Sequence, residues 1–196
     1  MDKLSSLNLD FDRVLIQLII PGLTAIFPWV ILFLNFHIYE KTFLIQNLSL
    51  LITLVTITSL ITGLALENLG SHFEVRYYDK KNKKADLNYM ITWNKFLCLN
   101  YSGHQPVGHR YLRNILLRMK FELSFAFAII IMAIGLAILD YNYVIFNSNW
   151  LKFIIFYLGP LFISFYLLYI EGYASSKVLA DTRKILVDEY YEDITQ

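Results

Sequence analysis

Apolar residues in this chain fall into four long uncharged runs, not into short alternating patches. Val14 to Phe36 holds 23 residues without Asp, Glu, Lys or Arg, and Phe43 to Leu66 holds 24. Leu123 to Leu139 holds 17, with Glu122 at its edge, and Phe153 to Ile170 holds 18, with Lys152 at its edge. A helix needs roughly 20 apolar residues to cross a bilayer, and about 17 is the lower limit. The runs are continuous, unlike the alternating strands of an outer-membrane barrel. The pattern therefore predicts transmembrane helices over about 14–36, 43–66, 121–139 and 151–170. The expected fold is an all-α membrane protein: four transmembrane helices with helical extensions forming a small cytoplasmic bundle.

The polar stretches between the runs also carry structure. No proline lies between Phe43 and Asp79, which predicts one continuous helix of 37 residues, about 55 Å long and projecting well past the lipid. Lys80-Lys81-Asn82-Lys83-Lys84 reads as an exposed turn. Asp86 to Leu99 reads as an amphipathic helix with Leu87, Met90, Ile91, Phe96 and Leu97 on its apolar side, and Gly103 to Gly108 reads as a loop. From about Arg110 a helix runs into the third span. The fourth span continues through Val178, Leu179, Ile185, Leu186 and Tyr190, with Glu189–Gln196 as a frayed acidic end. Leu4, Leu7, Phe11 and Val14 recur at helical spacing, which predicts a short helix on the inner membrane surface. Pro21-Gly22 and Pro28 predict a bend in the first span, and Gly159-Pro160 a kink in the fourth.

Composition narrows the class. The chain has 196 residues and is 57% hydrophobic, which leaves too little outside the spans for a separate large catalytic domain. A single polytopic domain over 1–196 is expected. The formal net charge of +1 gives no case for nucleic acid. The single Cys98 excludes an intrachain disulfide. Met1 to Arg13 carries more acids than bases, and no small-residue cleavage site follows the first run, so that run is expected to stay as an anchor. Abundant Ile, Leu, Asn, Tyr and Lys suggest an AT-rich, bacterial genome.

The cations then orient the spans. Of 17 Lys and Arg residues, ten lie between Arg76 and Lys120, two precede the first run and three follow the fourth. Only Lys41 and Lys152 fall on the other side. Segments rich in Lys and Arg stay in the cytoplasm. This places both termini, and about 67–120 and 171–196, in the cytoplasm of a bacterial inner membrane protein.

Candidate chemistry gathers on the second span and at the inner interface. Ser49, Thr53, Thr56, Gly63, Glu67, Gly70 and Glu74 follow steps of four and three, with Leu60 out of pattern and Ser59 beside the gap. Such a seam serves close helix packing, or lines a polar path. Glu67, Glu122 and Glu171 sit at the inner ends of three spans, as an interfacial charge network or an acidic collar for cations. Glu67-x-x-Gly70-Ser71 is echoed by Glu171-x-x-Ala174-Ser175, a hint of a duplicated hairpin. Arg110, Arg113, Arg118 and Lys120 are placed to contact anionic headgroups or a partner. His72, Cys98, His104 and His109 lack zinc-ligand spacing. No nucleophile elbow, Walker loop or dinucleotide fingerprint occurs, so no catalytic residue, metal or cofactor is assigned.

The expected function is a non-enzymatic, homo-oligomeric inner-membrane protein whose partners are the bilayer and a cytoplasmic protein. It would act as an anchor, a sensor or a partner-controlled pore-forming component, for example in bacterial stress or anti-phage defence. The first alternative is a small cation channel or transporter with its path along span two. The second is an interfacial enzyme acting on lipid or peptide through the Glu67–His72–Glu122 region.

Overall fold

The computed structural model describes residues 2–36, 38–98, 107–143, 151 and 154–194. These are 97% helical, with no strand among them. In chain order they form α1 (Asp2–Phe36), α2 (Ile38–Gln46), α3 (Leu48–Phe73), a π-helical turn (Glu74–Tyr78), α4 (Asp79–Ala85), α5 (Tyr89–Cys98), α6 (Val107–Tyr143), a second π-helical turn (Ile154–Leu158) and α7 (Gly159–Ile194). Three stretches are long and apolar enough to cross a membrane: Gln17–Phe36, Leu48–Ala85 and Tyr111–Tyr141. They contain the third apolar run and most of the first two. The fourth run starts at Phe153, outside the described residues, and continues through the second π-helical turn into α7.

The centre of the packing is α6, which touches α1, α3 and α7. Missing side chains set the closest approaches. A Cβ on Gly22 of α1 would lie 1.9 Å from the Ser59 carbonyl oxygen, and one on Gly63 of α3 would lie 2.1 Å from the Leu18 carbonyl oxygen. The α1–α3 crossing is thus a backbone contact that any side chain would force apart. Ser59 Oγ donates to the Ile19 carbonyl at 2.8 Å and fixes the two helices at that level. Pro28 of α1 packs on Gly135 of α6. Deeper in, Leu123 of α6 lies between Gly70 of α3 and Gly172 of α7. Ala25, Leu66 and Ala128 form one buried cluster, and Tyr78, Met119 and Leu123 a second.

The π-helical turn at Glu74–Tyr78 has a geometric role. Ser59, Gly63, Leu66 and Gly70 are the buried positions of α3, and burial resumes at Tyr78 and Asn82. Gly70 to Tyr78 is longer than two ordinary helical turns of 3.6 residues. The wider π turn absorbs the excess and returns Tyr78 and Asn82 to the packed face.

Several expectations are corrected. The helix expected from Phe43 is interrupted at Asn47 and then runs from Leu48 to Ala85. Lys80–Lys84 is helix α4, not a turn, because Asn82 is buried against α7 and the lysines flank it toward solvent. Leu4, Leu7, Phe11 and Val14 belong to α1 itself, which is unbroken from Asp2. α5 starts at Tyr89, and Leu87, Met90, Ile91 and Leu97 are exposed, with only Phe96 of the five half-buried. The expected loop at Gly103–Gly108 lies mostly outside the described residues, and its last residue, Gly108, is already in α6. The acidic tail is helical to Ile194. The long helix into the third run and the continuation beyond the fourth are both present, as α6 and α7.

Candidate functional site

The seam on α3 divides into two parts. Gly63 and Gly70 are buried at helix crossings, together with Ser59 and Leu66. Ser49, Thr53 and Thr56 lie on the exposed side. Their hydroxyl chemistry is local: Thr53 Oγ1 donates to the Ser49 carbonyl and Thr56 Oγ1 to the Ile52 carbonyl, each at 2.8 Å. A threonine bonded to its own helix leaves no polar demand on a neighbour. Only 11% of the α3 apolar stretch is buried within the chain, against 44% for α6. The hydroxyl part of the seam is therefore on the outside of the chain, and Glu74 is half-buried further along the helix.

The three glutamates do not form a ring of bare acids. Glu67 accepts from Lys120 Nζ at 3.0 Å. Glu122 is buried and accepts from Arg118 Nε at 2.7 Å and from Ser175 Oγ at 3.0 Å. Arg118 also pairs with Glu171. Glu122 and Glu171 are thus joined through one guanidinium, whereas Glu67 sits on a separate pair. Both echo-motif acids, Glu67 and Glu171, reach bases of α6. Of the four bases singled out, Arg118 and Lys120 belong to this network, Arg113 is exposed on α6, and the side chain of Arg110 lies outside those described. Burying a carboxylate demands such partners, so this constellation ties α3, α6 and α7 in register.

A second constellation lies further along the same helices. α4 continues α3, and α7 runs beside it. Tyr78 Oη donates to the Tyr169 carbonyl at 2.8 Å, and Asn82 Nδ2 donates to Ser176 Oγ at 3.1 Å. Aromatic rings close the space around Tyr78, with Phe73, Tyr169 and Tyr173 at centroid distances of 5.6, 5.8 and 5.6 Å. α5 then folds back onto α7, its turn marked by the Asn88 amide donating to Asp86 Oδ1 at 2.9 Å. Between α4, α5 and α7 is a cavity of about 150 Å³ that includes Asn82, Tyr89, Trp93, Lys177, Arg183 and Lys184 in its lining.

Arg183 is the distinctive member of that lining. Its guanidinium lies 3.8 Å from the centroid of the Trp93 ring and 5.9 Å from that of Phe96. A cation over an aromatic face is attracted by the ring quadrupole. Burial lowers the pKa of Arg183, opposed by the nearby Tyr89, Glu74 and Asp79. Its Nε is buried and has no hydrogen-bond partner among the described residues. Tyr89 Oη donates to Asp79 Oδ1 at 2.9 Å. Burial and that acid push the Tyr89 hydroxyl up to about 12. Lys184 pairs with Asp86 at 3.7 Å, and Lys81 sits 3.7 Å from the centre of the Tyr173 ring.

None of the expected site residues lines this pocket, and of them Glu74 acts on its Arg183 electrostatically. Two signals in the chain point to it. Arg183 lies four residues after Leu179 and four before Val187, both buried, so a cation interrupts the apolar stripe of a helix. Asn82 lies four residues after Tyr78 and shares its face. Among the described residues no three His, Cys, Asp or Glu side chains converge as for a metal ion. His104 lies outside the described residues, as do the side chains of Cys98 and His109. No protein-family model, curated protein or solved structure matches this chain.

Proposed function

We propose that the chain is a non-enzymatic, four-span protein of the bacterial inner membrane that senses a cytoplasmic ligand. Its fourth span is the apolar run from Phe153 to Ile170, which joins the three stretches above. The cation distribution puts both termini and the α4–α5–α7 pocket in the cytoplasm. The observation that carries the proposal is continuity. Two walls of the pocket, α4 and the second half of α7, are extensions of membrane helices without an intervening loop. Arg183 lies 13 residues beyond Ile170, which puts the pocket about 20 Å below the membrane. A ligand that changes the spacing of α4 and α7 therefore moves helices within the bilayer as well.

The hydrogen bonds from Tyr78 and Asn82 are the clamp through which such motion passes. The test uses spin labels in nanodiscs on a Cys98→Ser background. One pair, at Ile57 and Ile163, reports the membrane part, and another, at Lys84 and Ile185, reports the pocket. The clamp variant Tyr78→Phe/Asn82→Ala is expected to shift both distance distributions. A shift confined to the pocket pair refutes the sensor proposal. A reporter fused at Asn147 is expected on the periplasmic side, and a cytoplasmic signal there overturns the four-span topology.

One observation favours a second role for the assembled protein. The exposed Ser49–Thr53–Thr56 face of α3 supplies a self-association surface in an oligomer, and a polar path if those faces meet at an axis. Cysteine crosslinking along α3 distinguishes this arrangement from a monomer.

A further inference from the structure

We propose that the α4–α5–α7 pocket binds a small oxyanion, a phosphate or carboxylate group, through the guanidinium of Arg183. This names the ligand class for the sensor proposal and rests on it for its role, though not for its chemistry. Four features converge. First, Arg183 Nε is a buried donor with no hydrogen-bond partner among the described residues. A buried donor left unbonded is costly, so a ligand whose entry opens the site to Nε and supplies the acceptor is favoured. Second, the guanidinium is held over the Trp93 ring. Its orientation is therefore set before a ligand arrives, and ordering costs on binding are reduced. Third, oxyanions pair side-on with a guanidinium through two parallel N–H donors, a geometry that includes Nε and that lysine cannot reproduce.

Fourth, the charge of the lining fits a monoanion. Lys177, Arg183 and Lys184 outnumber Asp86 and Asp181 by one. Glu74 and Asp79, on the α3–α4 side, attract Arg183, and the Tyr89 hydroxyl, which donates to Asp79, also hydrogen-bonds the Arg183 side chain. Lys177 and Lys184, the latter paired with Asp86, border the cavity beside Arg183. A cavity of about 150 Å³ takes a phosphate or a short organic acid, and is well below the roughly 300–1,000 Å³ of drug-sized sites.

The test is calorimetric titration of the full-length protein in nanodiscs with inorganic phosphate and with acetate, at constant ionic strength set by chloride. One saturable oxyanion site per chain is expected. Arg183→Lys, which keeps the charge and removes Nε, is expected to weaken binding at least about tenfold, the loss of one charge-assisted hydrogen bond. Lys177→Gln, which leaves the Trp93 stack untouched, is expected to weaken it several-fold and covers the case in which Arg183→Lys fails to fold. Preference for phosphate over acetate assigns a phosphate-bearing ligand, and the reverse preference a carboxylate. No saturable binding of either probe, or binding unchanged in both variants, overturns the proposal. Because the clamp experiment needs no ligand, the two ideas fail separately. Coupled helix shifts without oxyanion binding remove the site and leave the sensor, whereas binding without coupled shifts does the reverse.

Discussion

Adding a methyl group at Gly22 is the sharpest perturbation the fold allows. The Cβ would lie 1.9 Å from the Ser59 carbonyl oxygen and 3.0 Å from the Gly63 amide nitrogen. Both are backbone atoms of α3, so no rotamer change relieves the clash. Ordinary contact begins near 3.4 Å, so the helices must part locally by about 1.5 Å. Overpacking of this kind costs about 1–3 kcal/mol. The Ser59–Ile19 hydrogen bond of 2.8 Å spans the same crossing, and its loss adds about 0.6 kcal/mol in a membrane setting. Alanine regains about 0.5–1 kcal/mol of helix propensity over glycine. The net expectation for Gly22→Ala is a loss of about 1–3 kcal/mol, with a similar loss for Gly63→Ala. Gly70→Ala is the internal control. Its Cβ would be tight only against the Leu123 Cβ, at 3.2 Å, with the Ser124 amide nitrogen and Oγ at an ordinary 3.7 Å, and a shift of a few tenths of an ångström accommodates it. The propensity gain should then leave stability within about 0.5 kcal/mol of the parent. Reversible unfolding by dodecyl sulfate in mixed micelles, followed by far-ultraviolet circular dichroism, measures all three. If Gly22→Ala is as stable as the parent, or Gly70→Ala is the more damaging, the close α1–α3 crossing is not what holds these helices together.

Further outcomes follow from the polar contacts. Arg118→Ala should cost about 3 kcal/mol, since it strands the buried Glu122 carboxylate with only Ser175, whereas Glu122→Gln should cost about 1 kcal/mol because Arg118 stays largely exposed. Thermal unfolding in detergent checks the order, and the reverse order would show that the charge pair is not what orients α6. Tyr78→Phe should lose about 1 kcal/mol, the worth of one hydrogen bond to the Tyr169 carbonyl. No change in the same assay would show that the aromatic packing alone holds α3 to α7. Thr53→Val with Thr56→Val should stay within about 0.5 kcal/mol, because both hydroxyls bond their own helix. A loss well above that in nanodiscs would reveal a polar partner from another chain.

Much of the helical framework was legible because hydrophobic length is a local property. The first three runs reappear as helices long enough to cross a bilayer. The extensions of α3, α6 and α7 follow from the absence of helix breakers over long stretches. Local pattern failed where a distant partner decided the matter. Lys80–Lys84 looks like a turn on charge alone, yet Ser176, 94 positions away in sequence, receives the Asn82 amide and keeps the segment helical. Likewise the apolar residues of the expected 86–99 helix pointed to one packed face. α5 instead packs through Trp93 and Phe96 around Arg183, leaving Leu87 94% exposed.

The candidate sites separate along the same line. The spacing of the seam on α3 put its residues on one helix face, since side-chain direction in a helix follows from residue number. Which of them meet another helix was not contained in that spacing. α1 and α6 cover Gly63 and Gly70 and leave Ser49, Thr53 and Thr56 outside. The common depth of Glu67, Glu122 and Glu171 could be counted from the run ends. Their division into a Lys120 pair and an Arg118-bridged pair depends on how α3, α6 and α7 are rotated against each other. The pocket around Arg183 joins the consecutive α4 and α5 to α7, which is far from them in the chain. Chain sequence alone therefore determined which segments are helical and apolar, because hydropathy and helix periodicity act over a few turns. Tertiary structure decided which polar groups are neutralised, which are left to solvent and which donor, Arg183 Nε, has no hydrogen-bond partner among the described residues, because those outcomes depend on distances between residues that the sequence does not join.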